Sequence, residues 1–335
     1  MRRQLVTLAT ALLVLTGCSS GSDQSTAGKA LDKVTFVTAV QANGRGADVF
    51  VADKKGYYKD AGIAVDIVLG SSVEKNMGSL TSGKAMFAEF DSTGAIIQIG
   101  RQSFTDVRMI AAIHTRMLPA IISLDPAIAT PKDLAGRKLG VAPGGVNEML
   151  FPTYAKLAGL DPRTVKVVRI ASNNQVAALV EGKVDALSTF LVQQSNIETA
   201  AGKAGRTPRA LVMPYTDYIG DAMGNALATS TAVIDKDPDL VRRFRDATLK
   251  GLRYTVDHPE EAADILHAAQ PATSAAAALG EIRAMGPYVT PTDGVLGAIP
   301  ESRVAKIIAL CRSLDLFAPE IQPAAVVDFS LTPTA

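Results

Sequence analysis

Residues able to do chemistry cluster in short loops that follow apolar runs. Gln41-Ala42-Asn43-Gly44-Arg45-Gly46-Ala47 comes after the first such run and ahead of a helical pattern. Its glycines permit close backbone approach, and Arg45 supplies a fixed cation beside the amide of Asn43. Gly70-Ser71-Ser72 offers hydroxyls and backbone N–H groups after the second run. Glu89-Phe90-Asp91-Ser92 sets two acids beside an aromatic, a combination suited to reading an amine or stacking a ring. Taken alone, Asp91 also suits a helix cap. Gly144, Gly145 and Asn147 join a strand to a helix, and glycines ahead of a helix N-terminus form a nest for an anion. Asn173, Thr189 and Phe190 stand at later strand ends, Tyr218 precedes a return segment, and His114 lies near the first crossover. These residues, from Asn43 to Tyr218, are the candidate ligand-binding set.

The pattern argues against catalysis. The three histidines, His114, His258 and His267, lack metal-ligand spacing, and His258 and His267 lie off any common helical face. No plausible Cys–His pair is present. The expectation is therefore no enzyme, no cofactor and no metal. A net charge of +1 leaves no electrostatic footprint for nucleic acid. The absence of tryptophan weakens a reading as a sugar receptor.

These loops need a scaffold that brings strand ends together. The 335 residues exceed one ordinary core and suit two α/β lobes. Strand-like runs over 34–40, 64–69, 85–88 and 107–113 alternate with helical patterns over 47–55, 74–81 and 92–101. A second series follows, with strands over 138–142, 165–170 and 184–187 and helices over 146–157 and 174–181. Such alternation predicts mostly parallel sheets covered on both faces. Pro119–Ser123 and Asn225–Thr229 are the candidate pair of lobe connections. From Asp237 onward helices dominate, at 238–256, 259–268, 274–285 and 303–314, with Pro238 and Pro259 in first turns. Tyr57 and Tyr58 lie at the far end of the helix after Arg45, where packing rather than binding is expected.

The first residues carry a different signal. Arg2 and Arg3 precede an apolar run from Leu5 to Leu15, too short to span a bilayer as a helix. Leu15-Thr16-Gly17-Cys18 matches the bacterial lipobox, which implies cleavage before Cys18 and lipidation of its thiol. Ser19 to about Lys29 is Ser- and Gly-rich and suits a tether. Cys311 is then the one remaining cysteine, expected buried in an amphipathic helix. The expected division is signal peptide and lipobox over 1–18, tether over 19–33, lobe one from 34–118 plus 225–335, and lobe two from 119–224.

Four motifs recur in order: "GYYKDAGI" at 56–63, "TPKDLAGRKLGV" at 130–141, "AGLDP" at 158–162 and "LVEGKVDAL" at 179–187. With them the chain resembles the periplasmic binding proteins of the sulfonate/taurine/nitrate and thiamine-pyrimidine-precursor (NMT1-like) group, from about Val34 to Pro259. The resemblance implies a type II periplasmic-binding fold with ligand clamped between lobes. It also implies a monomeric receptor on the outer face of the cell membrane, or in the periplasm, serving an ABC permease and ATPase. Arg45, the Gly144-Gly145 turn and Ser71 with Ser72 favour a sulfonate or taurine-like solute. Glu89, Asp91 and Phe90 favour an amine or a flat heterocycle such as a pyrimidine; of the two, the sulfonate or taurine-like solute is the favoured expectation and the heterocycle the alternative. Two other roles compete: a pyrimidine-precursor synthase, whose histidine chemistry and cysteine-rich segment are missing, and a ligand sensor without transport.

Overall fold

In chain order the first strands and helices are β1 (Asp32–Val37), α1 (Ala47–Lys54), α2 (Tyr57–Asp60), β2 (Ile63–Val68), α3 (Val73–Thr81), β3 (Phe87–Asp91), α4 (Ser92–Gly100) and β4 (Val107–Ala112). The next are β5 (Pro119–Ser123), β6 (Lys138–Val141), α5 (Val146–Leu157), β7 (Lys166–Arg169), α6 (Gln175–Val180), β8 (Ala186–Phe190), α7 (Gln194–Lys203), β9 (Leu211–Pro214) and α8 (Thr216–Ile219). The chain ends with β10 (Asn225–Ser230), α9 (Thr231–Lys236), α10 (Pro238–Asp257), α11 (Pro259–Ala269), α12 (Ala275–Val289) and α13 (Glu301–Ser313). This computed structural model describes residues 30–220, 222–289 and 294–334. Cys18, the lipobox and most of the expected tether lie outside the described residues.

Two five-stranded sheets form, ordered β2-β1-β3-β10-β4 and β7-β6-β8-β5-β9. β1 runs parallel to β2 and β3, whereas β10 is antiparallel to both β3 and β4. The second sheet repeats the scheme, with β6 parallel to β7 and β8 and with β5 antiparallel to β8 and β9. This is the expected two-lobed α/β class, with mixed rather than mostly parallel sheets.

The structure corrects several boundaries. Pro119–Ser123 and Asn225–Thr229 are not the lobe connections but strands inside the sheets. The chain crosses just before each of them, and the two crossings lie side by side. The Met117 N–H donates to the Ala222 carbonyl (2.8 Å) and the Gly224 N–H to that of His114 (3.1 Å). β3 and β8 run past their expected ends at Ala88 and Leu187, because antiparallel partners pair with their last residues. Asn225 faces Asp91, and Pro119 faces Phe190. β1 starts two residues inside the expected tether, where the Asp32 N–H donates to the Gly62 carbonyl (2.9 Å) and its carboxylate meets Arg243. β9 and α7 have no counterpart in the sequence reading. In α7 only Ile197 and Ala201 are buried, which leaves no apolar stripe to recognise.

Local chemistry explains the helices that cover the first sheet. Asp237 caps α10 by accepting from the Leu240 N–H (2.9 Å), and Pro238 sits in the first turn, where its missing N–H does no harm. Leu240, Val241, Phe244, Thr248 and Leu252 recur every three or four residues and are buried. Phe244 stacks on Phe87 (4.1 Å between ring centroids) and on Tyr58 (5.0 Å), and the Tyr58 hydroxyl meets that of Thr248 (2.9 Å). Tyr58 is thus a core residue, as its distance from the loop ends requires. Cys311 is buried as expected.

Gly251 sets how closely α10 lies on α1. A methyl there would fall 2.4 Å from the Asp48 carbonyl oxygen and 2.7 Å from the Ala52 Cβ. Alanine favours helix over glycine by about 1 kcal/mol. The clash is with backbone, however, which yields only if the helices part. Gly251→Ala is therefore expected to lower stability in urea unfolding by about 1–3 kcal/mol. An unchanged or raised midpoint would show that α1 and α10 separate freely.

Candidate functional site

The loops at the carboxyl ends of the parallel strands meet between the two sheets. On the first lobe the rim is fixed by Asn76, a buried α3 residue that the sequence reading passed over. Its amide nitrogen donates to the carbonyls of Thr38 (2.9 Å), Ala39 (3.0 Å) and Glu89 (3.0 Å), and its oxygen accepts from the Ser71 N–H (3.3 Å). One side chain so ties the ends of β1 and β3 to the loop after β2. The Thr38 hydroxyl donates to the Val40 carbonyl (2.6 Å) and accepts from the Gly70 N–H (3.0 Å). Gly70 has no room for a side chain, since a Cβ would lie 1.8 Å from the Thr38 carbonyl oxygen.

Arg45 stands at the centre. It is 5% exposed, and its guanidinium carbon lies 3.6 Å from the ring centroid of Phe190, which belongs to the other lobe. Glu281, Glu89 and Asp91 act on its charge, and its Nε has no hydrogen-bond partner. Glu281 comes from α12 and accepts from the side chains of Gln193 and Asn196 on the second lobe. Gly44 makes this approach possible: a Cβ there would sit 2.3 Å from the Ala278 carbonyl oxygen and 2.7 Å from the Glu281 Cβ. Glu89 accepts from the Asn225 amide (2.8 Å), and His114 Nδ1 accepts from the Asn225 N–H (3.3 Å). That bond leaves the proton on His114 Nε2, which is buried without a partner.

Burial governs the titration of this cluster. It raises the carboxyls of Asp48, Glu89 and Glu281, with Arg45 opposing it at Glu89 and Glu281 and the charge of Glu89 adding to it at Asp48. It lifts Asp91 from 3.8 to about 7, against the pull of the Gly94 and Thr93 N–H groups and of Arg45. It lowers His114 to about 3, helped by Arg45, so this imidazole is neutral at physiological pH.

The remaining candidates fall into distinct places. Asn43 and Arg45 line a small space of about 10 Å³ with Thr38, Gln41, Phe50 and Asn225, enough for about one water. Asp91 caps α4 through the Gly94 N–H (2.9 Å), and the Ser92 hydroxyl donates to the Met223 carbonyl (3.1 Å). Phe90, 1% exposed, packs in the core and is not a ring at the cleft lip, because strand alternation points it away from Glu89 and Asp91. Asn147 donates to the Thr189 carbonyl and is spent within the second lobe. The Gly144-Gly145 nest holds an anion of its own chain: the Gly144 N–H donates to Glu148 (2.7 Å), which pairs with Arg169 (2.6 Å). Gly144 nonetheless faces Ser72 across the cleft, at 3.7 Å from a constructed Cβ. Ser71 and Asn173 are exposed, and Tyr218 sits edge-on against Tyr154 (5.4 Å), away from Arg45. Glu281, Gln193 and Asn196 escaped the sequence reading. The available signal was an acid inside the buried stripe Ala278, Ile282, Met285 of α12.

A family model described as NMT1/THI5 like matches residues 43–262, and the chain belongs to that family. It is similar to the riboflavin-binding protein RibY of Chloroflexus aurantiacus, 27% identical over 282 residues, which is 79% of this chain and 78% of that one. It is also similar to the formylaminopyrimidine-binding protein of Halalkalibacterium halodurans, 22% identical over 266 residues, 78% of each chain. The alkanesulfonate-binding protein SsuA from Xanthomonas axonopodis pv. citri, bound to MOPS, superposes with a TM-score of 0.69 at 13% identity, over 89% of this chain and 99% of that one. At that identity the likeness concerns the fold, the two-lobed α/β architecture of periplasmic binding proteins. Among the described residues, no helix is long and apolar enough to cross a membrane.

Asp91 supplies a test of the cluster's electrostatics. An acid whose folded pKa is raised contributes stability that is complete below its ordinary value and is lost as pH rises through the folded value. For Asp91 that window runs from 3.8 to about 7. Asp91→Asn keeps a capping oxygen and removes the titration. Its melting temperature relative to the parent should climb between about pH 4 and about pH 8. A difference that stays flat across this range would mean that the carboxyl titrates as if in water.

Proposed function

We propose that this chain is the extracytoplasmic receptor of an ABC importer and takes a flat, donor-bearing nitrogen heterocycle between its lobes. The observation that carries the ligand class is the surplus of buried carboxyls, Glu89, Asp91 and Glu281, around the single guanidinium of Arg45 beside the face of Phe190. A sulfonate would bring another negative charge into this group. Unit charges of like sign about 4 Å apart repel by about 4 kcal/mol in a partly buried setting. The nest expected to hold the anion is occupied by Glu148, and the first turn of α4 by Asp91. Ring N–H and amino groups, by contrast, give the carboxyls partners, and Phe190 gives the ring a face. The relatives named for riboflavin and formylaminopyrimidine support the same class.

In this reading residues 34–118 with 225–335 and residues 119–224 act as lobes. They close about the paired crossings near Pro119 and Asn225, as a monomer. The lipobox supports anchoring through Cys18, where two acyl chains at about 0.8 kcal/mol per buried methylene hold a protein on a membrane.

A thermal-shift series with riboflavin, 4-aminopyrimidine and MOPS tests the ligand class. A ligand at a hundred times its dissociation constant adds about 2.7 kcal/mol, about 4 °C for a chain of this size. The heterocycles are expected to raise the melting temperature and MOPS to leave it unchanged; the reverse pattern restores the sulfonate reading. For the anchor, Cys18→Ser should move the protein out of the detergent phase. Partitioning that ignores the substitution would remove the lipid from the account.

A further inference from the structure

We infer that the Arg45 guanidinium is a built-in surrogate ligand: it lies on Phe190 where the solute's ring belongs, and the solute binds by displacing it. The inference rests on the heterocycle reading above and gives it a chemical template. A guanidinium is planar, cationic and rich in N–H donors on its edge. It lies at van der Waals distance from the Phe190 ring, 3.6 Å from the centroid. Three carboxyls on β3 and α12, Glu89, Asp91 and Glu281, lie near enough to act on its charge. Yet the fit is incomplete. Arg45 Nε and Glu281 Oε2 are both buried without partners. A permanent structural ion pair would satisfy such atoms, because burying a polar group without a partner is costly. A ring with donors at other positions can satisfy both the face and the acids.

Space argues the same way. The room that Arg45 shares with Asn43, Phe50 and Asn225 is about 10 Å³, space for about one water and not for a ring. The platform and the carboxyls are fixed by strands and a packed helix: Phe190 ends β8, Glu89 and Asp91 lie in β3, and Glu281 is held by Gln193 and Asn196. Arg45 sits on a three-residue turn, Gly44–Gly46, between two glycines, and a Cβ at Gly46 would meet nothing within 4 Å. Of these groups it alone is carried by a short turn, on a long side chain with several rotatable bonds. A self-ligand lowers the apparent affinity by the fraction of time it occupies the site. Removing it should therefore strengthen binding of planar donor-rich cations, the opposite of what an anchoring arginine predicts.

The test uses benzamidine, guanidinium and methanesulfonate as probes on the full chain, by calorimetry and thermal shift. Arg45→Ala is expected to bind benzamidine at least about tenfold more tightly than the parent. Low-millimolar guanidinium should raise its melting temperature more than sodium does, and methanesulfonate should have no effect. Adding Phe190→Ala to Arg45→Ala should abolish the gain. If Arg45→Ala lacks a folded baseline, Arg45→Gln, which keeps the length and loses the charge, serves in its place. Weaker or equal benzamidine binding by the variant, or no response of any variant to either cation, overturns the inference. If the parent binds heterocycles and Arg45→Ala binds them less well, Arg45 is a contact and the heterocycle reading stands. If the parent binds only the sulfonate, that reading itself has failed.

Discussion

A single guanidinium, buried between an aromatic face on one lobe and carboxyls on the other, sets the terms for the centre of this molecule. Burying a charge is costly unless partners surround it. Around Arg45 the partners come from three separate stretches: β3, α12 and the end of β8. Each has to arrive close, and the sequence makes way for it. Gly44 admits α12, and Gly280 lets the same helix approach α7, where a Cβ would sit 2.6 Å from the Ser195 hydroxyl. The acids in turn hold pKa values that their burial alone would push further from the ordinary range, because Arg45 opposes that push. The charge and its partners are mutually necessary.

The two rims of the cleft are built differently. On the first lobe, Asn76 and Thr38 stitch three strand ends together through backbone carbonyls and N–H groups. The result is a rigid edge that does not depend on the second lobe. Across the cleft the contacts are side chain to side chain: Arg45 on Phe190, and Glu281 with Gln193 and Asn196. Such contacts can break and re-form without unravelling a strand. The chain crossings are bonded to each other by backbone, at Met117–Ala222 and Gly224–His114. Rigid lobes, exchangeable cross-contacts and a paired hinge are what clamping a solute requires.

Much of the fold was legible because its signals are local. Alternating apolar runs and helical stripes, capped by Ser72, Asp91 and Asp237, place most helices and parallel strands within a few residues. Strand ends were less legible because their limits are set from afar. Asp91 is in a strand on account of Asn225, and Phe190 on account of Pro119, partners far away in the chain in both cases. The site divides along the same line. Arg45, Glu89 and Asp91 were visible as polar residues after apolar runs. Asn76, Glu281, Gln193 and Asn196 were not, since each lies in a helix and acquires its role only through tertiary packing. The Gly144-Gly145 nest was misleading for a local reason: Glu148, one turn into the helix, already fills it.

Selectivity in such a cleft is a difference between what enters and what it replaces. The carboxyls Glu89, Asp91 and Glu281 are present whatever occupies the face of Phe190, and their burial makes an unpartnered state expensive. An anion displacing Arg45 would remove the cation and add to the negative charge. A neutral apolar ring would fill the face and leave the acids unpaired. A planar ring with amino or ring N–H donors replaces both functions of the guanidinium at once. The same arrangement tolerates some variation in the solute, because carboxyls near their titration point can accept a proton where a donor is missing, as Asp91 does at about neutral pH. On the proposed reading, charge disfavours one class of solute and desolvation another, and the stacked guanidinium describes the class that remains.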